Sequence, residues 1–205
     1  MNNITIIDDY EVKTADELGL IKDKDLKKFS LTYVEEGFDG YNYKVVIFKG
    51  NKPQCISVPE LMRCIGVCFH VKPKVNTNET GGMIGFHISP FIPNAKLKRR
   101  FQKQYYWLLK QLHESYDIPA IYVAGGRKNN EHNQSHYDVS VRSFVKPLAH
   151  IFPEIPIYQF ATYENTQATM LGISKDKVSA LRVGYDGRYL LSHLMSPLSV
   201  SATNG

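Results

Sequence analysis

Gly82-Met83-Ile84-Gly85-Phe86-His87-Ile88-Ser89-Pro90 is the stretch on which the reading of this chain turns. It is a β-prone apolar run, led by glycine and closed by proline, and it carries one histidine, His87. Upstream lies a second such run, Ile65-Gly66-Val67-Cys68-Phe69. Cys64 opens it, after a turn-like approach from Ser57 through Pro59 to Arg63. Two adjacent strands joined by the polar loop from Lys72 to Gly81 bring the Cys64 thiol and the His87 imidazole together. A thiol is the side chain most readily made nucleophilic at neutral pH, and an imidazole partner is the usual means.

The pattern around this pair is a mixture of strands and helices. Tyr43 to Phe48 reads as a strand, punctuated by Gly50 to Pro53. Leu97, Phe101, Tyr105, Leu108, Leu109 and Leu112 recur at helical spacing between Asn94, a candidate N-cap, and Tyr116. Pro119 stops that helix, and Ala120 to Ala124 reads as a short buried strand ending at Gly125-Gly126. A polar loop with His132 and His136 follows. A second helix is expected from Ser140 to His150, then a strand at Pro156 to Phe160. Val178–Val183 and Tyr189–Leu191, around Asp186-Gly187, read as a hairpin. The expected fold is a layered α/β or α+β domain: a central mixed sheet, two main helices and a C-terminal β-hairpin. Residues 1–50 read as an N-terminal extension with at least one strand, 51–195 as the domain, and 196–205 as a frayed tail.

The chain has 205 residues, 43% hydrophobic and 22% charged, enough to bury a core. No apolar run approaches the ~20 residues of a membrane span. Met1 to Asp9 has neither a basic region nor a long apolar stretch, so no Sec signal peptide is expected. Three cysteines make no disulfide framework, which favours a reducing compartment. The expected location is the cytoplasm, or a host cell reached through a specialised secretion system. Much of the net charge of +5 lies in Lys96, Lys98, Arg99, Arg100, Lys103 and Lys110. Without a companion motif this run reads as a solvated helix face, not a nucleic-acid stripe. Gly125-Gly126 is no phosphate loop, because no Lys-Ser/Thr follows.

From about Ser57 to Leu194 the order of elements resembles CheD, the chemotaxis-receptor glutamine deamidase, and the related deamidase domain of cytotoxic necrotizing factor. The resemblance rests on Arg63 to Cys68, on Gly82 to Pro90, on Ile121 to Gly126, on Asp138 to Leu148 and on the hairpin from Val178 to Leu191. Met62-Arg63 replaces the family's Gly-Ser before the cysteine. The resemblance implies a CheD-like deamidase fold and a thiol-dependent conversion of Gln to Glu on a target protein, with no metal and no cofactor. It implies Cys64 as nucleophile and His87 as base. Ser57, or a backbone carbonyl, would orient the imidazole, and backbone N–H groups near Cys64 would hold the oxyanion. Gly125, Gly126, Gln159 and Thr162 would contact substrate. The partner would be a protein bearing an exposed glutamine, with no nucleic acid and no membrane. A chemotaxis enzyme and a secreted bacterial effector or toxin both fit.

Three other readings stand beside this one. Cys64 serves equally as a small buried hydrophobe in a non-catalytic binding module on the same fold. The same pair serves a cysteine protease or a transglutaminase. Cys64, Cys68 and His70 share a strand face and would converge on a metal, although their spacing matches no common zinc motif. Cys55 carries no role.

Overall fold

The computed structural model describes residues 3–18, 30–37, 41–48, 54–61, 64–74, 81–89, 95–125, 144–161, 166–184 and 186–195. In chain order the strands are β1 (Ile4–Ile7), β2 (Glu11–Lys13), β3 (Ser30–Tyr33), β4 (Tyr41–Ile47), β5 (Gln54–Val58), β6 (Ile65–Pro73), β7 (Gly82–Ile88), β8 (Tyr116–Gly125), β9 (Ile157–Phe160), β10 (Thr166–Ser174), β11 (Lys177–Gly184) and β12 (Tyr189–Met195). Helix α1 (Ala95–Ser115) lies between β7 and β8, and the short α2 (Lys146–Ile151) lies between β8 and β9.

These strands form two six-stranded mixed sheets. The first runs β1-β9-β8-β6-β7-β4 and the second β2-β12-β11-β10-β5-β3. The mixed α/β character agrees with the expectation. The single central sheet does not: strands beyond β9, together with β5, β2 and β3, build a second sheet of equal size. The expected C-terminal hairpin is there as β11 and β12, paired from Lys177–Met195 to Val183–Tyr189. Its turn is closed by Gly187 at φ +78° and by the Arg188 N–H donating to Asp186 Oδ1 at 3.1 Å.

Strand alternation explains the layering. On β6, Ile65, Val67, Phe69 and Val71 face α1, whose Phe101, Tyr105, Leu109 and Leu112 are buried against them. These are four of the residues predicted from helical spacing; the Leu97 side chain and Asn94 lie outside the described residues. The alternate residues, with Cys68 on β6 and Met83 on β7, face the second sheet and meet Ile56, Val58, Leu171, Ile173 and Val178. The order is therefore helices, first sheet, second sheet. Each large apolar side chain buried in these two interfaces contributes about 1.5–3 kcal/mol.

Gly66 and Gly85 let the sheets approach closely. A Cβ on Gly85 would sit 2.8 Å from Ile56 Cδ1, and one on Gly66 2.8 Å from Leu61 Cδ1. Pro119, expected only to end a helix, lies within β8, where it has no N–H to give. The β6–β8 register shifts between His70 and Lys72, and the proline falls in that irregularity.

The described parts of residues 1–50 are woven into both sheets. Among the described residues, β1 and β4 hold the two edges of the first sheet, and β2 and β3 the two edges of the second. β1 pairs in parallel with β9, from Ile4–Ile157 to Ile7–Phe160. Asn3 pins it by donating from Nδ2 to the carbonyls of Phe152 and Ile155.

Candidate active site

Cys64 lies just before β6, and His87 lies one residue from the end of β7. The two strands are antiparallel neighbours, with Gly66 opposite His87 and Ile65 opposite Ile88. Continuing that register sets Cys64 level with Ser89. Alternation turns Cys64, His87 and Ser89 to the same side, toward the second sheet. Cys64 and His87 are both buried.

The segment that leaves β3 completes the site. Val34 N–H donates to the Ser57 carbonyl at 2.8 Å, tying the segment to β5. The Val34 carbonyl lies 3.0 Å from His87 Nδ1. A carbonyl only accepts, so Nδ1 carries the proton. In the neutral tautomer this leaves the lone pair on Nε2, which has no hydrogen-bond partner among the described residues. Two residues on, Glu36 is exposed. One ligand atom from each of Glu36, Cys64 and His87 lies within 4.8 Å of the others.

The sulfur is held as a neutral thiol. Burial pushes Cys64 up to about 12, the negative Glu36 carboxylate adds to the rise, and a hydrogen bond with the Ser89 hydroxyl opposes it. At pH 7 the thiolate fraction is thus on the order of 10⁻⁵. The arrangement suits removal of the thiol proton by a base in the course of attack.

Glycine at position 125 is required by this site. Gly125 has φ +107°, and a Cβ there would stand 2.4 Å from the Cys64 carbonyl oxygen and 3.0 Å from Leu61 Cβ. Glu60, at φ +57°, turns the chain from β5 toward the cysteine.

The sequence reading paired Cys64 with His87, and the structure brings them together. It assigned the orienting role to Ser57 or to a backbone carbonyl, and the carbonyl of Val34 takes it. The Ser57 hydroxyl alternates with Ile56 and Val58, which face the first sheet, so it points to the other side of β5; it is buried and has no hydrogen-bond partner among the described residues. Gln159 does not rim the pocket. It alternates with Tyr158 and Phe160, which pack between the sheets, and β9 is three strands from β7. Gly126, Thr162, His132, His136, Met62 and Arg63 lie outside the described residues. Cys64, Cys68 and His70 do not converge: among the described residues the only grouping with metal-ligand geometry is Glu36, Cys64 and His87.

Glu36, Ser89 and the Val34 carbonyl were missed. Ser89 was accessible by counting, since it shares the parity of His87 on a run already read as a strand. Glu36 carries no local signal, because only the docking of β3 against β5 brings it to the thiol. No protein-family model matches the chain, and a search of curated proteins finds no match.

Proposed function

We propose that this protein is a thiol-dependent protein-glutamine deamidase with a CheD-like fold. The observation that carries the reading is the Cys64 thiol beside an imidazole whose Nδ1–H is committed to the Val34 carbonyl, leaving Nε2 as an available base. In the reaction, His87 Nε2 takes the thiol proton as the sulfur attacks the carboxamide carbon of a substrate glutamine. The C–S bond forms and the carbonyl becomes an oxyanion. His87 returns the proton to the nitrogen, the C–N bond breaks and ammonia leaves. Water then hydrolyses the thioester, regenerating the thiol and leaving glutamate. Ser89, hydrogen-bonded to the sulfur, supports negative charge developing there. Glu36 opposes that charge.

One observation favours a non-catalytic binding module instead: a thiol pushed up to about 12 is inert at rest. Incubation with acidic bacterial and host protein fractions, followed by peptide mapping for Gln-to-Glu conversion, separates the two. Conversion at single sites, lost in Cys64→Ser and in His87→Ala and no worse in the double variant, is expected. Wild-type-level conversion by Cys64→Ser would overturn the assignment, as would hydrolysis of free glutamine with no protein site changed.

A further inference from the structure

We propose that Glu36, Cys64 and His87 form a binding site for Zn²⁺, or a cation of the same borderline-soft class. The donors come from three separated stretches of chain: the segment after β3, the entrance to β6 and the end of β7. Their ligand atoms lie within 4.8 Å of one another. Zinc bonds of about 2.3 Å to sulfur and about 2.0–2.2 Å to nitrogen or oxygen put tetrahedral ligand atoms about 3.3–3.7 Å apart. The group closes to that spacing by an inward movement of about 1 Å. Glu36, exposed and outside any strand, is free to supply most of it.

A second observation points to the same ligand. His87 is 1% exposed, yet among the described residues its Nε2 has no hydrogen-bond partner. A buried polar nitrogen left bare is costly. A metal ion satisfies it, and the Val34 carbonyl on Nδ1–H is the outer contact that holds a metal-bound imidazole in one tautomer. Thiolate and imidazole together select Zn²⁺ over Mg²⁺ or Ca²⁺, which prefer oxygen. On binding, the Cys64 thiol releases its proton to solvent and its sulfur lone pair bonds the metal; no electron transfer is involved. The exposed carboxylate gives the ion a route in from water.

Resting on the deamidase reading, zinc is then a reversible inhibitor: it occupies the same sulfur lone pair and the same Nε2 that the reaction uses. The binding itself is read without any substrate. Co²⁺ titrated into the full-length protein under reducing conditions should give a thiolate-to-cobalt charge-transfer absorption saturating at one equivalent, displaced by Zn²⁺. Cys64→Ser should abolish it, Cys55→Ser should leave it intact, and Glu36→Gln and His87→Ala should each weaken Co²⁺ binding roughly tenfold or more. The site is overturned if saturating Co²⁺ gives no such band, or if the band survives in Cys64→Ser. Loss of the band with Gln-to-Glu conversion intact refutes the metal site alone. A band without conversion refutes the deamidase reading alone.

Discussion

Replacing Gly125 by alanine tests how tightly the cysteine is seated, and two other glycines calibrate the result. Gly172 on β10 has room: an added Cβ would meet nothing within 4 Å, and its φ is ordinary. Gly172→Ala should be neutral, or stabilising by about 0.4–1 kcal/mol through the unfolded chain. Gly187 also has open space, but its φ is +78°. Gly187→Ala carries backbone strain alone, about 1–2 kcal/mol. Gly125 combines a φ of +107° with a Cβ 2.4 Å from the Cys64 oxygen and 3.2 Å from Ile65 Cα, so the backbone entering β6 must retreat. A retreat of about 1 Å adds several kcal/mol, for a total of about 4 kcal/mol or more. At about 2–4 °C per kcal/mol for a chain of this size, thermal denaturation followed by circular dichroism should show Gly187→Ala lowering Tm by about 2–8 °C. Gly125→Ala should lower it by about 8–16 °C. The retreat also changes the setting of Cys64, so its alkylation rate in the folded protein should change in Gly125→Ala and not in the other two. If Gly125→Ala proves no more costly than Gly187→Ala, the close approach to Cys64 does not hold.

Glu36→Gln removes a charge that opposes the thiolate, so the Cys64 pKa should fall from about 12 while burial keeps it above the ordinary 9.0. Each unit of fall should speed iodoacetamide alkylation at about pH 8 by about three- to fourfold, the gain in thiolate being partly offset by weaker nucleophilicity; unchanged labelling would mean the carboxylate does not act on the sulfur. Burial holds His70 down at about 4, against an ordinary 6.5. The unfolded chain therefore binds the extra proton first, and stability is lost as pH falls from 6.5 toward 4. Urea denaturation at about pH 7.5 and about pH 4.5 should show about 2–3 kcal/mol more loss in the wild type than in His70→Gln; equal losses would exclude His70 as the source. On α1, Lys96, Arg100, Lys103, Trp107 and Lys110 are exposed at one helical stripe, with Trp107 60% exposed. Arg100→Glu with Lys103→Glu should slow association with an acidic protein substrate about tenfold at low salt and flatten its salt dependence, and equal rates would remove the stripe from recognition.

Local patterns carried much of the first sheet. The runs at β6, β7 and β9 and the periodic face of α1 each state their own structure in a few neighbouring residues, as does the β11–β12 turn at Asp186-Gly187 in the second sheet. The second sheet was harder to read. β10 begins Thr166-Gln167-Ala168-Thr169, a polar stretch that resembles a loop until β11 pairs with it; β5 joins the other side only from Leu171 to Ser174. β1, β2 and β3 are only three or four residues long, and their partners are distant in sequence, so pairing and not propensity makes them strands. The site divides in the same way. Cys64, just before β6, and His87, on the next strand β7, were legible as a pair. The Val34 carbonyl is a main-chain group that no residue type announces. Ser57 was misread because its position near Cys64 in sequence says nothing of which face of β5 its side chain takes.

The placing of the earliest strands at the sheet edges has a consequence in time. β1 finds its partner only at Ile157–Phe160, and β2 only at Tyr189–Leu191. A ribosome adding about 5–20 residues per second takes about 8–30 s to pass from the one to the other end of the β1–β9 pair. Throughout that interval the opening strands are exposed without their partners, although they are the first made. In the finished molecule they are edge strands among the described residues, each paired on one side only, and an edge of this kind can template pairing between chains. Synthesis thus leaves these strands unpaired before the sheets they join exist, and slow translation through α1 and β8 lengthens the period in which a nascent chain must be kept from its neighbours.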